Sequence, residues 1–190
     1  ITFSTTGALP NGTNSYADTH LVMSSAISNA DSMHFSIYVR TNPNLTSFEC
    51  GVYTLYGTDP DYTDGPAQYV LLNSAGNTYI SGGINASVGF ADPTPLGFYV
   101  SNRNGTGQLK GYKNNILKST YTSTGGNSAS NFILMGTNYY YPDDPGYNLI
   151  YHGASREFAF STIGTGLSDA DESNLYSRVQ TFQTTLSRNV

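Results

Sequence analysis

Apolar residues recur at alternate positions in short segments of this chain, and polar turn residues punctuate them. In residues 34–40, Phe35, Ile37 and Val39 fall on one face of an extended segment, and His34, Ser36, Tyr38 and Arg40 on the other. Residues 48–56, 68–72, 96–101, 131–136 and 157–163 read as further strands, with Phe158 and Phe160 sharing a face in the last. Between them stand turn signals: Asn42-Pro43, Asn73 to Gly76, Ser81-Gly82-Gly83, Asp92-Pro93 and Asn104-Gly105. Lys113-Asn114-Asn115-Ile116 reads as the tight turn of a hairpin. Short strands at this spacing predict an all-β sandwich or barrel rather than an α/β fold. No repeat or linker divides the pattern, so residues 1–190 are expected to form a single domain.

The C-terminal pattern changes period. Leu175, Val179, Phe182 and Leu186 recur at helical spacing and make one apolar stripe, predicting a helix over about 168–187. Ser168 is suited to cap it, with Asp169, Asp171 and Glu172 near the positive end of its dipole. Such a stripe docks the helix on the sandwich or on a neighbouring subunit.

Composition narrows the function classes. Only 11% of residues are charged, and Ser, Thr, Asn, Gly and 16 Tyr take their place. That mixture suits strands joined by polar turns on a virion or extracellular surface. Eight Lys or Arg and a net charge of −5 leave no basic run to neutralise phosphates, which argues against nucleic acid and against an anionic membrane surface. No apolar span of membrane length occurs, so membrane insertion is not expected. Cys50 is the only cysteine and has apolar neighbours in Phe48 and Val52, which reads as a buried thiol. The chain opens on Ile1 rather than Met, from which a fragment or processed form is expected.

Three segments carry a family resemblance. Residues 33–42 hold His34, Ser36, Tyr38, Arg40, Thr41 and Asn42 in the pattern H-x-S-x-Y-x-R-T-N. Residues 97–103 and 109–115 read G-F-x-x-x-x-R and L-K-x-Y-K-N, with Asn115 where glycine is usual. Residues 158–167, running on through the helix to Val190, form the third. Together they resemble concanavalin A-like, laminin-G-like domains, many of them at the C-terminal ends of phage structural proteins and bacterial surface proteins. The resemblance implies a two-sheet antiparallel jelly-roll sandwich with one C-terminal helix. It carries fold and not function.

Paired catalytic groups are missing from the sequence. The E-x-D-x-E strand of glycoside hydrolases on this fold is absent, and the glutamates are Glu49, Glu157 and Glu172 alone. Tyr112-Lys113 matches half of a lyase signature but sits in the hairpin turn. No G-x-S-x-G elbow occurs, and His20, His34 and His152 lack partners at triad or metal spacing. The chain is therefore not expected to be an enzyme.

Two loops hold the candidate chemistry. Asp59, Asp61 and Asp64, with carbonyls exposed by Pro60 and Gly65, form the kind of oxygen donor set that Ca²⁺ takes, and equally a solvated acidic turn. Asp143 and Asp144 add ligands if the two loops meet. Tyr53, Tyr56 and Tyr62 surround the first loop, and Tyr139, Tyr140, Tyr141 and Tyr147 the second. Tyrosine faces beside carboxylates suit the stacking and hydroxyl bonding of a sugar, although tyrosine also fills half-buried sheet positions. The expected partner is a glycan or cell-surface polysaccharide. The alternative is a structural module of a fibre, capsid or surface filament, joined to copies of itself or to other structural proteins. Sequons at Asn11, Asn44, Asn85 and Asn104 lie in turn-like contexts.

Overall fold

The computed structural model describes the chain except residues 44, 58–60, 62, 74, 85, 106, 148, 153 and 154, together with the side chains of Pro145 and His152. The elements begin with β1 (Thr2–Phe3), β2 (Ala8–Leu9), β3 (Ala17–Val22) and one helical turn, α1 (Met23–Ala26). Next come β4 (Ser32–Val39), β5 (Ser47–Tyr56), β6 (Thr63–Asn73), β7 (Asn77–Ile84) and β8 (Ser87–Ala91). They are followed by β9 (Gly97–Asn104), β10 (Gln108–Lys113), β11 (Ile116–Thr122), β12 (Asn131–Leu134) and β13 (Gly136–Tyr140). After a 3₁₀ turn at Pro145–Tyr147 stand β14 (Leu149–His152), β15 (Phe158–Gly164) and helix α2 (Asp169–Thr185).

Two sheets face one another. One is seven-stranded in the order β1-β2-β15-β4-β9-β10-β11. The other is eight-stranded and runs β14-β13-β5-β6-β7-β8, with β12 and β3 joined at β5. Among the described residues, pairing is antiparallel except between β13 and β5. Phe35, Ile37 and Val39 of β4 and Cys50 and Val52 of β5 point into the space between the sheets, where Phe132, Val70, Leu72 and Ile80 meet them. Cys50 is buried there as its neighbours implied, and burial pushes its thiol up.

The polar face of β4 is buried too, because α2 lies over it. Tyr38, Phe98, Val100 and Tyr112 form a second cluster with Val179, Leu175 and Tyr176 of the helix. His34 is packed beneath the β15–α2 connection, with Nδ1 2.6 Å from the Thr165 carbonyl. Ser168 caps α2, accepting the Asp171 N–H at 3.1 Å. Asp169 fastens the first turn to β10 through Lys110 at 2.7 Å and the Tyr112 hydroxyl at 3.0 Å.

Four local expectations are corrected. Phe158 and Phe160 do not share a face: a bulge between them puts Phe158 in the core between the sheets and Phe160 on the outer face against Phe98 and Phe182. The buried face of α2 runs Glu172, Leu175, Tyr176, Val179 and Gln183, so only half of the apolar stripe docks. Phe182 and Leu186 stay 45% and 43% exposed, Phe182 resting against Phe160 with the Arg188 guanidinium over its ring. Ser81-Gly82-Gly83 is not a turn but the end of β7, where glycine permits close approach: a Cβ on Gly82 would lie 2.8 Å from Leu109 Cδ1. Residues 131–136 are not one strand. Met135 takes φ +65° and splits them into β12, antiparallel to β5, and β13, parallel to it.

Glu172 supplies a pH dependence. It is 1% exposed, and its Oε1 has no hydrogen-bond partner among the described groups. Burial first, and then Asp169 nearby, push its carboxyl up to about 7. The folded chain therefore holds this proton more tightly than the unfolded chain, so stability present at acid pH is lost as pH rises from the ordinary carboxylate range through 7. Glu172→Gln is expected to raise stability by about 1–2 kcal/mol at pH 8 and to change little at pH 4.5. Urea unfolding at both pH values measures the difference, and equal effects at the two would refute it.

Candidate functional site

Helix α2 covers only the seven-stranded sheet, and the outer face of the other sheet carries a ladder of aromatic rings. Alternation along the strands puts these side chains on one face. Tyr53 of β5 and Tyr139 of β13 are register partners and stack, with centroids 5.2 Å apart and planes at 22°. Tyr151 of β14 extends the ladder on one side, 4.8 Å from Tyr139. Tyr69 of β6 extends it on the other, 5.9 Å from Tyr53, while Phe48 meets Tyr69 edge-on at 5.2 Å. Gly51 makes room beside Tyr69: a Cβ there would lie 2.6 Å from the tyrosine Cβ and 2.5 Å from the Gln68 carbonyl oxygen. Burial is the main reason that the phenols of Tyr53 and Tyr69 are raised and that of Tyr139 is pushed up to about 12, so all three remain neutral donors near neutral pH.

At the β6–β8 end of this ladder lies an open bowl of about 410 Å³, within the range of small-molecule sites. Its floor is made of small buried residues, Gly65, Ala67, Ser81 and Ala86. Ser81 Oγ lies 3.0 Å from the Ala67 carbonyl and 2.6 Å from the Ala86 carbonyl, which ties β6 to the turn before β8. Tyr53, Tyr69, Asp64 and Ser87 stand around the floor. The Tyr53 hydroxyl donates to Asp64 Oδ1 at 2.7 Å, and Ser87 hydrogen-bonds the Tyr69 phenol. The bowl thus offers two ring systems, a carboxylate and a hydroxyl around a shallow floor.

The residues singled out from sequence are distributed unevenly around it. Tyr56 is exposed at the end of β5 with its ring over Gly65, next to the bowl, and Asp64 is on the rim. Tyr139 belongs to the ladder, whereas Tyr140 is the register partner of Thr54 and alternates to the opposite face. Tyr141 is only 6% exposed and meets the exposed Tyr147 edge-on, with centroids 6.0 Å apart. Asp143 Oδ2 accepts the Gly57 N–H at 2.8 Å, which brings the second loop to the residue just past the end of β5. Asp144 is half-buried beside it, and its backbone carbonyl accepts the Tyr147 N–H. Asp61 is exposed, while Asp59, Tyr62 and the sequons Asn44 and Asn85 lie outside the described residues. Among the described residues no three metal-ligating side chains converge. Tyr69, Tyr151, Ser81 and Ser87 were not singled out, although the strand pattern at 68–72 sets Tyr69 opposite the core residues Val70 and Leu72.

The glutamates with catalytic potential are both occupied. Glu49 is fully buried against Arg156, and its Oε1 also accepts the Ser47 hydroxyl at 2.5 Å. Glu157 pairs with Arg40 at 2.9 Å and accepts the hydroxyls of Thr6 at 2.5 Å and Ser4 at 3.0 Å.

No family model matches the chain, and no curated protein matches it in sequence. Solved structures do. The CBM40 module of the Ruminococcus gnavus IT-sialidase, bound to alpha2,3 sialyllactose, aligns over 90% of this chain and 96% of its own, with TM-score 0.60 and 12% identity. The native heptameric SAP-like pentraxin of Limulus polyphemus aligns over 92% and 84%, with TM-score 0.56 and 11% identity. At such identities the likeness is one of fold: this chain is a two-sheet jelly-roll β-sandwich with a C-terminal helix.

Proposed function

We propose that this chain is a non-catalytic glycan-binding domain whose site is the bowl on the eight-stranded sheet. The observation that carries the reading is the placement of Tyr53 and Tyr69 beside Asp64 and Ser87 above a floor of small residues. Ring faces take the C–H faces of a pyranose, and the carboxylate and hydroxyls bond its hydroxyl groups. The shared fold with a module solved in complex with alpha2,3 sialyllactose supports the class of ligand. The arginines that hold Glu49 and Glu157 support a binding rather than a hydrolytic role. The resemblance to concanavalin A-like and laminin-G-like domains of phage structural and bacterial surface proteins supports display on a virion or cell surface.

A glycan array followed by calorimetry, each with and without millimolar Ca²⁺, tests the proposal. Tyr53→Ala and Tyr69→Ala are each expected to weaken binding about tenfold or more, corresponding to about 1.4 kcal/mol. Tyr121→Ala, at an exposed position on β11 of the opposite sheet, should leave it unchanged. Absence of binding to every glycan class, or binding indifferent to both bowl substitutions, would sink the reading. Any gain on adding Ca²⁺ would implicate the loop of Asp59, Asp61 and Asp64.

A second reading, a structural subunit of a fibre, capsid or filament, draws on the exposed Phe182 of α2 and Leu186 at its C-cap. It predicts a defined oligomer in light scattering that Phe182→Ser disperses. A monomer at high concentration counts against it.

A further inference from the structure

We infer that the bowl selects uncharged, hydroxyl-rich saccharides and rejects anionic ones, whether the acid is a sialic acid, a uronate or a sulfate. This rests on the glycan-binding reading and adds the ligand's charge class to it. The inference follows from where the chain has spent its cations. Of the eight Lys and Arg, four are held in ion pairs away from the bowl: Arg40 with Glu157, Lys110 with Asp169, Lys113 with Asp92 and Arg156 with Glu49. Arg103 lies under the strand that carries the floor residue Ser81, but it is fully buried, bonded to the Gly82 carbonyl and paired with Asp31, so it offers a ligand no exposed cation. Lys118 lies on β11, Arg178 on α2, and Arg188 past the end of α2 against its Phe182, so all three are at the seven-stranded sheet or beside the helix that covers it. None lines the bowl.

The other devices proteins use for anions are also placed elsewhere. The capped N-terminus of α2 sits over the opposite sheet, where Lys110 and Tyr112 already hold Asp169. The bowl floor belongs largely to paired strands, whose N–H groups serve the ladder between β5, β6, β7 and β8. What the rim does present is the exposed Asp64 carboxylate, held by the Tyr53 hydroxyl. An acidic sugar seated on Tyr53 would meet a like charge with no counter-ion, whereas a neutral pyranose gives that carboxylate hydroxyl donors. The net charge of −5 acts in the same direction at long range.

An array carrying neutral and anionic glycans tests this. Calorimetry at pH 8 on matched pairs follows: lactose with α2,3-sialyllactose, and a galactose trimer with trigalacturonate. Each neutral probe that binds is expected to bind at least about tenfold tighter than its anionic partner. Asp64→Asn, which retains an acceptor for the Tyr53 hydroxyl, should narrow that ratio severalfold, as should raising the salt. Anionic probes that bind as tightly as neutral ones, and lose binding in Tyr53→Ala, would overturn the charge selection while leaving the glycan site intact. Failure of every probe to bind, or neutral binding untouched by Tyr53→Ala, would overturn both the charge selection and the site.

Discussion

Arg156→Met is expected to lower folding stability by about 3–5 kcal/mol, because it leaves the Glu49 carboxylate buried without its counter-ion. Both side chains are fully buried. The Arg156 guanidinium also donates to Ser47 Oγ and to the Leu45 carbonyl, each at 2.5 Å, so it ties the segment before β15 to the start of β5. The loss is therefore one of charge compensation together with hydrogen bonds that tie two segments. Removing both charges is a different experiment. Glu49→Leu with Arg156→Met replaces the pair by apolar groups and should recover most of the loss, since desolvating two ions offsets much of their attraction. Urea unfolding followed by far-UV circular dichroism measures both, the chain having no Trp. A single-substitution loss below about 1 kcal/mol, or a double variant no better than the single, would contradict the expectation.

Much of the sandwich was legible because its strands obey local rules. The alternation of Phe35, Ile37 and Val39 needed no knowledge of partners to be read as a core face, and the three sit in the main core. Asn114 and Asn115 both take positive φ, as a tight two-residue hairpin turn demands, and Ser168 caps its helix. The errors arose where the outcome depended on what lies across the fold. Nothing local distinguishes the docked Val179 from the exposed Phe182; that depends on how far α2 overlaps β4 and β9. Met135 breaks a strand from within an apolar run because β12 and β13 both pair with β5, in opposite senses.

The candidate site shows the same division. Clusters of tyrosine in the loops were visible in sequence, and Asp143 of the second loop reaches Gly57 just past the end of β5. The bowl, however, is defined as much by small residues as by aromatic ones. Ala67 and Ser81 carry no signal of their own; they matter because register puts Ala67 beside Tyr53 and Ser81 beside Tyr69. A platform across adjacent strands is a property of strand order, and strand order is non-local. The fold then gives the two sheets different surfaces. The seven-stranded sheet buries its outer aromatics, Tyr38 and Phe98, under α2, while the eight-stranded sheet leaves Tyr53, Tyr69 and Tyr151 accessible.

Arg103→Lys is expected to cost about 2–4 kcal/mol even though it keeps the charge, and Arg103→Met about 3–5 kcal/mol. Arg103 is fully buried at the end of β9 and uses its planar fork on two elements at once. Nε donates to the Gly82 carbonyl of β7. Nη1 donates to the Ser123 carbonyl at 2.9 Å, and Nη2 to the Ser123 hydroxyl and to the Thr124 carbonyl at 3.4 Å. Asp31 balances the charge at 3.6 Å and accepts the Gly125 N–H at 2.9 Å. A lysine ammonium is a point donor and cannot span these acceptors, so carbonyls would be left buried without partners. The clamp also reaches the site. Beyond Gly125, the Gly126 carbonyl accepts from Gln68 at 2.5 Å, and Ser128 bonds Thr54 at 2.7 Å, so the fastened segment underlies the strands that carry Tyr69 and Tyr53. Releasing it should speed amide exchange at Gly125 and open residues 123–127 to proteolysis before the rest of the sandwich unfolds. Exchange at Gly125 that slows only with global stability, in wild type and Arg103→Lys alike, would mean that the clamp has no independent hold on this segment.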